Sequence, residues 1–196
     1  MDKTVKETDS DRDLIRLCQE GDLKAFERLY RRYSRDVFTM ALRMSGSSEI
    51  AEEVTQEVFI SVYKNIHRFQ FQSAFTTWLY RIVMRRSADY FRKNKKHQEN
   101  TLSYGDLVNE EESPAEFKDT SSTPYLEAVD REREKIIEES ILSLNKKQRS
   151  VLLLRYVNHL AYEEIATVLR CQIGTVKSRL NRAHKALENL IKNRLR

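Results

Sequence analysis

The chain has 196 residues, of which 40% are hydrophobic and 33% charged, with four Gly and two Pro. That suits one medium or two small soluble helical domains, two being the better fit, and leaves too few turn formers for an all-β protein, so an all-α fold is expected. A net charge of +5 and a pI near 9.1 favour an acidic polymer as partner. No run of 18 apolar residues occurs and the start, Met1-Asp2-Lys3-Thr4, lacks a signal-peptide core, so the chain is expected in the cytoplasm without membrane insertion. Cys18 and Cys171 stand far apart and the four histidines, His67, His97, His159 and His184, are scattered singly. That gives no disulfide framework and no metal motif, and both thiols read as small structural residues. With no Gly-rich phosphate loop and no nucleophile motif, neither a cofactor nor a catalytic residue is expected.

In chain order, Leu14, Ile15, Leu17 and Cys18 form a short apolar cluster ending at Gly21-Asp22, where Asp22 can cap the next helix. Ala25, Phe26, Leu29, Tyr30, Tyr33, Val37, Phe38 and Ala41 recur every three or four residues, which predicts a long helix with a wide buried stripe. Ser45-Gly46-Ser47-Ser48 breaks the chain. Ser48 precedes a helix that turns Ala51, Val54, Val58, Val62 and Ile66 inward and leaves Glu53, Gln56, Glu57 and Ile60 on an outer ridge. A stretch of aromatics in a polar loop comes next, from Phe69 to Trp78; the rings can plug the end of a core or stack on unpaired bases. From Trp78 a helix carries Leu79, Ile82 and Val83 inward and Arg81, Arg85, Arg86, Arg92, Lys93, Lys95 and Lys96 outward or toward its end, opposed only by Asp89. Such a cluster neutralises phosphates.

Residues 99–127 hold 8 acidic side chains against one Lys, with Pro114, Pro124 and Ser121-Ser122-Thr123, which predicts a flexible acidic linker between domains at 10–98 and 128–196. Helical spacing resumes at Leu126, Val129, Ile136, Ile137 and Ile141. Asn145 with Gln148 gives a capping-box spacing before Val151, Leu152 and Leu154. In the next helix Tyr162, Ile165, Ala166 and Leu169 face inward while Glu163, Glu164 and Thr167 point outward. Arg170-Cys171-Gln172 is the turn, and a last helix from about Ile173 buries Val176, Leu180, Ala183, Leu187 and Leu190. Thr175, Lys177, Ser178, Arg179, Arg182 and Lys185 are left for a ligand, and from Asn145 onward 12 Lys and Arg face 3 Glu. Two helices, a tight turn and a basic exposed face predict a DNA-binding helix-turn-helix, since a helix fits the major groove.

The runs Gln148 to Tyr156, Tyr162-Glu163-Glu164-Ile165-Ala166 and Gly174 to Leu180 resemble region 4 of extracytoplasmic-function sigma factors, the small bacterial subunits that direct RNA polymerase to promoters. In that family this module docks on the polymerase flap and contacts the minus-35 element. Asp22 to Tyr30 resembles the opening of region 2. Ala51 to Phe59 resembles region 2.2, which implies docking on the clamp helices of core RNA polymerase through Glu52, Glu53, Gln56 and Glu57. Phe69 to Trp78 resembles the region 2.3 loop, which receives a flipped minus-10 base and implies roles for Phe69, Phe71, Ser73, Phe75, Thr76 and Trp78. Trp78 to Ile82 and Asp89 to Arg92 resemble region 2.4, which adds Arg81, Arg85, Arg86 and Arg92 to the promoter DNA contacts, with Arg85 in place of the Asn common in the family. Ala161 and Arg170 depart from the usual Ser or Thr cap and the usual Gly. The resemblance further implies a linker threaded through the polymerase, control by an anti-sigma factor, and no catalysis by the chain itself.

Two other classes compete. A stand-alone helix-turn-helix repressor leaves the aromatic loop and the acidic ridge without a role. A nucleic-acid enzyme needs clustered carboxylates or a positioned nucleophile, whereas the acids concentrate in the linker.

Overall fold

The computed structural model describes residues 10–100 and 124–195, with side chains at 10–92 and 132–195. They form eight α-helices and no strand: α1 Asp11–Gln19, α2 Leu23–Ser45, α3 Ser48–Asn65, α4 Phe75–Asn100, α5 Pro124–Ser143, α6 Lys146–Leu152, α7 Tyr162–Leu169 and α8 Ile173–Arg194. A 3₁₀ turn, Ile66–Arg68, succeeds α3, and a π-helical segment, Leu153–Val157, continues α6. Of the acidic stretch 99–127, residues 99, 100 and 124–127 are helical, and 101–123 lie outside the described residues. Pro124 at the first helical position suits α5, because no intrahelical bond is lost there.

Local chemistry sets the helix ends in the N-terminal module. The Asp22 carboxylate accepts from the backbone N–H of Lys24 at 2.8 Å and of Ala25 at 3.1 Å, which starts α2. Gly46 ends it at φ 80°, where a side chain is strained, and its N–H donates to the Leu42 carbonyl. The cap of α3 is Ser47, one residue before the expected Ser48, with its hydroxyl accepting from Ile50 N–H at 3.3 Å. The four helices bury Leu14, Leu29, Val37, Met40, Val58, Val62, Leu79 and Val83. Tyr30, expected in the buried stripe, is 43% exposed and leans its ring edge on Phe59 instead. Gln19 ties α1 to the loop before α4 by donating to the Ile66 and Phe69 carbonyls at 2.9 and 2.8 Å.

In the C-terminal module the Asn145 side chain accepts from Gln148 N–H at 3.0 Å and starts α6. The π segment buries Leu153 and Leu154. Beneath α8, Val176, Leu180 and Ala183 are buried, so α8 rests its apolar stripe on α5, α6 and α7. Arg170 adopts the left-handed conformation at φ 49°, ψ 52° that the missing Gly would have adopted freely. At Ala161 no side chain caps α7; Glu164 supplies half of the box by accepting from Ala161 N–H at 2.8 Å.

The two modules pack on one another. Arg149, expected in an ordinary amphipathic helix, is 9% exposed. Its guanidinium donates to the carbonyls of Ile141 at 3.1 Å, Leu144 at 3.1 Å and Leu142 near the end of α5, and to Met44 at 2.5 Å near the end of α2. One buried cation thereby satisfies the orphan carbonyls of two helix C-termini, the pole that attracts positive charge. Burial pulls its pKa down from the usual guanidinium range, yet the group stays charged. Beside it Leu142 lies against Gly46, where an added Cβ would sit 3.2 Å from the leucine side chain. The second contact is α7 against α4.

Candidate nucleic-acid interface

Three surfaces carry the residues that the sequence singles out. On α3, Glu52, Glu53 and Gln56 are exposed, while Glu57 is half-buried and faces Arg86 at 3.6 Å. Ile60, 54% exposed, extends this ridge, and Tyr63, equally exposed, meets Phe26 edge-on at 5.1 Å. Leu23 and Tyr30 on α2 are exposed too, so an apolar patch adjoins the acidic ridge. Periodicity alone assigns Tyr30 to the core, and the patch is legible only once α2 and α3 are laid side by side.

The aromatic stretch divides between core and surface. Phe69 and Phe75 are 6% and 5% exposed, and their rings meet at 5.9 Å. Phe71 and Trp78 are half-buried and pack on Phe69 at 5.0 and 5.4 Å. Of the two possibilities for this stretch, plugging a core therefore holds for Phe69 and Phe75; their faces are not free for a base. Ser73 is exposed and Thr76 half-buried. Phe71 has φ 57°, and the guanidinium carbons of Arg12 and Arg16 on α1 lie 5.5 and 6.0 Å from its ring centre. These two cations border the loop although nothing in the sequence near it announces them.

The arginines of α4 were expected to point outward, and three of the four are engaged in the chain. Arg81 is half-buried and donates from Nη2 to the Thr167 carbonyl on α7 at 3.2 Å, with its Nε buried and unpartnered. Arg86 faces Glu57, a second opposing acid beside Asp89, and Arg92 is bonded to Asp89. Arg85 is exposed. Between α3 and α4 a cleft of about 240 Å³ is lined by Glu53, Val54, Glu57, Arg86, Asp89, Tyr90 and Arg92. It is smaller than the usual site for a drug-sized ligand. Thr77, outside the expected set, is 2% exposed and donates to Glu164 Oε1 at 3.0 Å. Glu164, expected to point outward, turns toward α4 because the second module covers that side. Tyr80 is also buried; desolvation and then Asp36 raise its pKa to about 12, and its hydroxyl lies beside Asn158.

On α8, Lys177, Ser178, Arg182 and Lys185 are exposed, with Thr175 and Arg179 half-buried. The Ser178 hydroxyl donates to the Thr175 carbonyl at 3.0 Å, Arg182 Nε to the Ser178 carbonyl at 3.2 Å, and Arg179 lies 3.9 Å from the Cys171 sulfur. Asn181, outside the residues that the sequence singles out, is exposed one turn from both Lys177 and Lys185. The signal that could have found it is this spacing of four. His184 meets the Tyr156 hydroxyl at 2.9 Å. Among the described residues no group of three or more His, Cys, Asp or Glu is arranged to hold a metal, and no helix is long and apolar enough to cross a membrane. Cys18 is half-buried and free, and burial, then Asp22, raise its thiol to about 11, an unreactive state at neutral pH.

Residues 29–97 match the model of Sigma-70 region 2 and residues 134–187 that of Sigma-70, region 4. An ECF RNA polymerase sigma-E factor of Haemophilus influenzae is 33% identical, covering 93% of this chain and 95% of that protein. The RNA polymerase sigma-H factor of Pseudomonas aeruginosa is 32% identical over 96% and 97%, and the sigma-E factor of Escherichia coli 34% over 95% and 97%. CnrH, solved with the cytosolic domain of CnrY, shares the fold with a TM-score of 0.68 at 20% identity over 94% of this chain and 99% of that one. RpoE of Bartonella quintana, solved with the anti-sigma factor NepR, gives 0.69 at 21% over 87% and 98%.

Proposed function

The chain belongs to the extracytoplasmic-function branch of the sigma-70 family, and we propose that α3 docks it on core RNA polymerase while α4 and α8 receive the promoter. It acts as a sigma factor that directs promoter-specific transcription initiation. The observation that carries the surface assignment is the contrast in charge. An exposed acidic and amide ridge on α3, flanked by Ile60, suits the basic and apolar face of partner helices, whereas α4 and α8 carry the cations.

On α8 the line Lys177, Asn181, Lys185 lies in the major groove of the minus-35 element. The two ammonium groups neutralise phosphates, and the Asn181 amide matches the paired donor and acceptor of an adenine edge. Thr175, Ser178, Arg179 and Arg182 complete this surface. Near the minus-10 element the exposed Arg85 and the half-buried Trp78 and Phe71 meet the single strand; Ser73 and Thr76 add hydroxyls. Phe69 and Phe75 act from below as the base of the aromatic cluster. Arg81, Arg86 and Arg92 contact backbone phosphates once their partners in the chain are exchanged for DNA. Core polymerase, promoter DNA and an anti-sigma factor that masks the same surfaces are the partners, in the cytoplasm. The chain contributes specificity and strand separation, with no catalytic group, metal or cofactor of its own.

The test is transcription in vitro with purified core polymerase and a library of promoter fragments, comparing the intact chain with the double variant Glu53→Lys, Gln56→Ala. Specific initiation that is lost in the variant supports both the activity and the docking ridge. Binding to selected DNA without polymerase and no initiation under any condition would replace this reading with that of a repressor.

A further inference from the structure

The face of α4 assigned to the minus-10 strand is the face against which α7 packs. Thr77 is nearly fully covered, with its hydroxyl held by the Glu164 carboxylate at 3.0 Å, and one turn on, Arg81 is held by the Thr167 carbonyl at 3.2 Å. A carboxylate and a carbonyl oxygen thus satisfy donors on α4, the kind of acceptor that phosphate and base edges offer. We propose that in the chain alone α7 is an intramolecular competitor of the promoter strand: it covers the minus-10 surface until the modules part. This rests on the reading of α4 as a strand-binding helix.

Three features make the cover suited to reversible release. First, it is held at a few points: Arg149 on the Met44 carbonyl, Leu142 against Gly46, Lys146 Nζ 3.9 Å from the Phe91 ring centre, and the α4–α7 bonds. Second, two polar atoms at or beside the α4–α7 contact, Arg81 Nε and Asn158 Oδ1, are buried without a hydrogen-bond partner and regain one from water when it opens. Third, the docking ridge stays reachable in the closed form, since Glu52, Glu53 and Gln56 on α3 are exposed. Core polymerase can therefore engage first and separate the modules afterward. The cover is also selective: on α8, Lys177, Asn181 and Lys185 remain exposed, so the minus-35 surface is open while the minus-10 surface is closed.

The experiment uses the full chain without polymerase. Donor and acceptor dyes at Lys24→Cys and Glu188→Cys, in a Cys18→Ala, Cys171→Ala background, report separation of the modules by energy transfer. Probes are a fluorescent single-stranded oligonucleotide and a duplex, both chosen from a promoter active in the transcription test above. Glu164→Ala removes the bond to Thr77, and Glu164→Gln makes the same charge change while keeping an acceptor. The expected result is at least tenfold tighter strand binding and lower transfer in Glu164→Ala, values near the intact chain in Glu164→Gln, and equal duplex binding in all three. Because competition is reciprocal, a saturating strand must also lower transfer in the intact chain. Saturation of the intact chain with unchanged transfer overturns the proposal, whatever the variants do. Strand affinity in the intact chain equal to that of an opened Glu164→Ala chain overturns it as well. Failure of the underlying reading is distinguishable, because it appears as loss of promoter-specific initiation.

Discussion

Two basic helices, α4 and α8, carry the same kind of charge and differ in what holds it. On α4 Arg81 is bonded to α7, Arg86 to Glu57 and Arg92 to Asp89, and the helix is buried along the side that faces the second module. On α8 Ser178, Arg179 and Arg182 bond only within their own helix or turn, and Lys177, Asn181 and Lys185 make no side-chain bond to the described residues. The difference teaches that basic composition marks a nucleic-acid surface without saying whether it is available. One helix is ready for a duplex, and the other must exchange its partners.

The largest expected effect comes from removing what fastens the modules. Arg149→Ala leaves the carbonyls of Ile141, Leu142, Leu144 and Met44 without their shared donor in a buried place. Loss of a buried, fully bonded cation costs about 3 kcal/mol. Urea unfolding should show a fall of that order, with the transition broadening as the modules uncouple. A fall below about 1 kcal/mol would mean that the guanidinium is a bystander and that other contacts hold the cover.

A smaller effect should separate the two helices directly. In the chain alone, Lys177→Ala should weaken binding to a minus-35 duplex several-fold and reduce the salt slope by about 1, as expected for one lost phosphate contact. Arg85→Ala, on α4, should leave that duplex binding and its slope unchanged, and should act on the strand in the polymerase complex. Equal losses from the two substitutions in the chain alone would erase the contrast between them.

Alkaline pH gives a third handle on the covered face. Tyr80 is held neutral by burial, its pKa raised from 10 to about 12. The protonated phenol is therefore favoured in the fold, so its contribution is complete below pH 10 and is lost as the pH rises from 10 toward 12. Tyr80→Phe should flatten the loss of stability across that window in pH-dependent urea melts, and an unchanged slope would show that the phenol does not titrate with folding.

The helices themselves were legible, because an apolar stripe of period 3.6 and a polar cap leave local marks: Val176, Leu180 and Ala183 lie buried as spaced, and Asn145 caps as spaced. Partners far along the chain were not. Glu164 reads as a solvent-facing acid until α4 lies beside it, 87 residues away in sequence. Arg149 reads as one more cation on an amphipathic helix, although its four acceptors belong to two helix ends that only the tertiary fold brings together. Aromatic rings in a polar loop fit core and ligand equally well, and packing alone divides Phe69 and Phe75 from Phe71 and Trp78.

The smallest expected effects test α7, the element that the two surfaces share. Ala161 sits at an extended N-cap, φ −69° and ψ 160°, where no side chain accepts the helix N–H groups. Ala161→Ser supplies that acceptor beside the half-box that Glu164 already makes, and should stabilise the chain by about 0.5–1 kcal/mol in urea melts. Arg170→Gly removes the steric cost of its left-handed backbone, though glycine's extra freedom in the unfolded chain offsets part of the gain, so a rise of about a few tenths of a kcal/mol is expected. Because both substitutions firm α7 without touching Thr77 or Arg81, they should favour the covered form slightly and leave minus-35 duplex binding as it is. Stabilisation accompanied by weaker duplex binding would instead tie α7 to the recognition helix and away from α4.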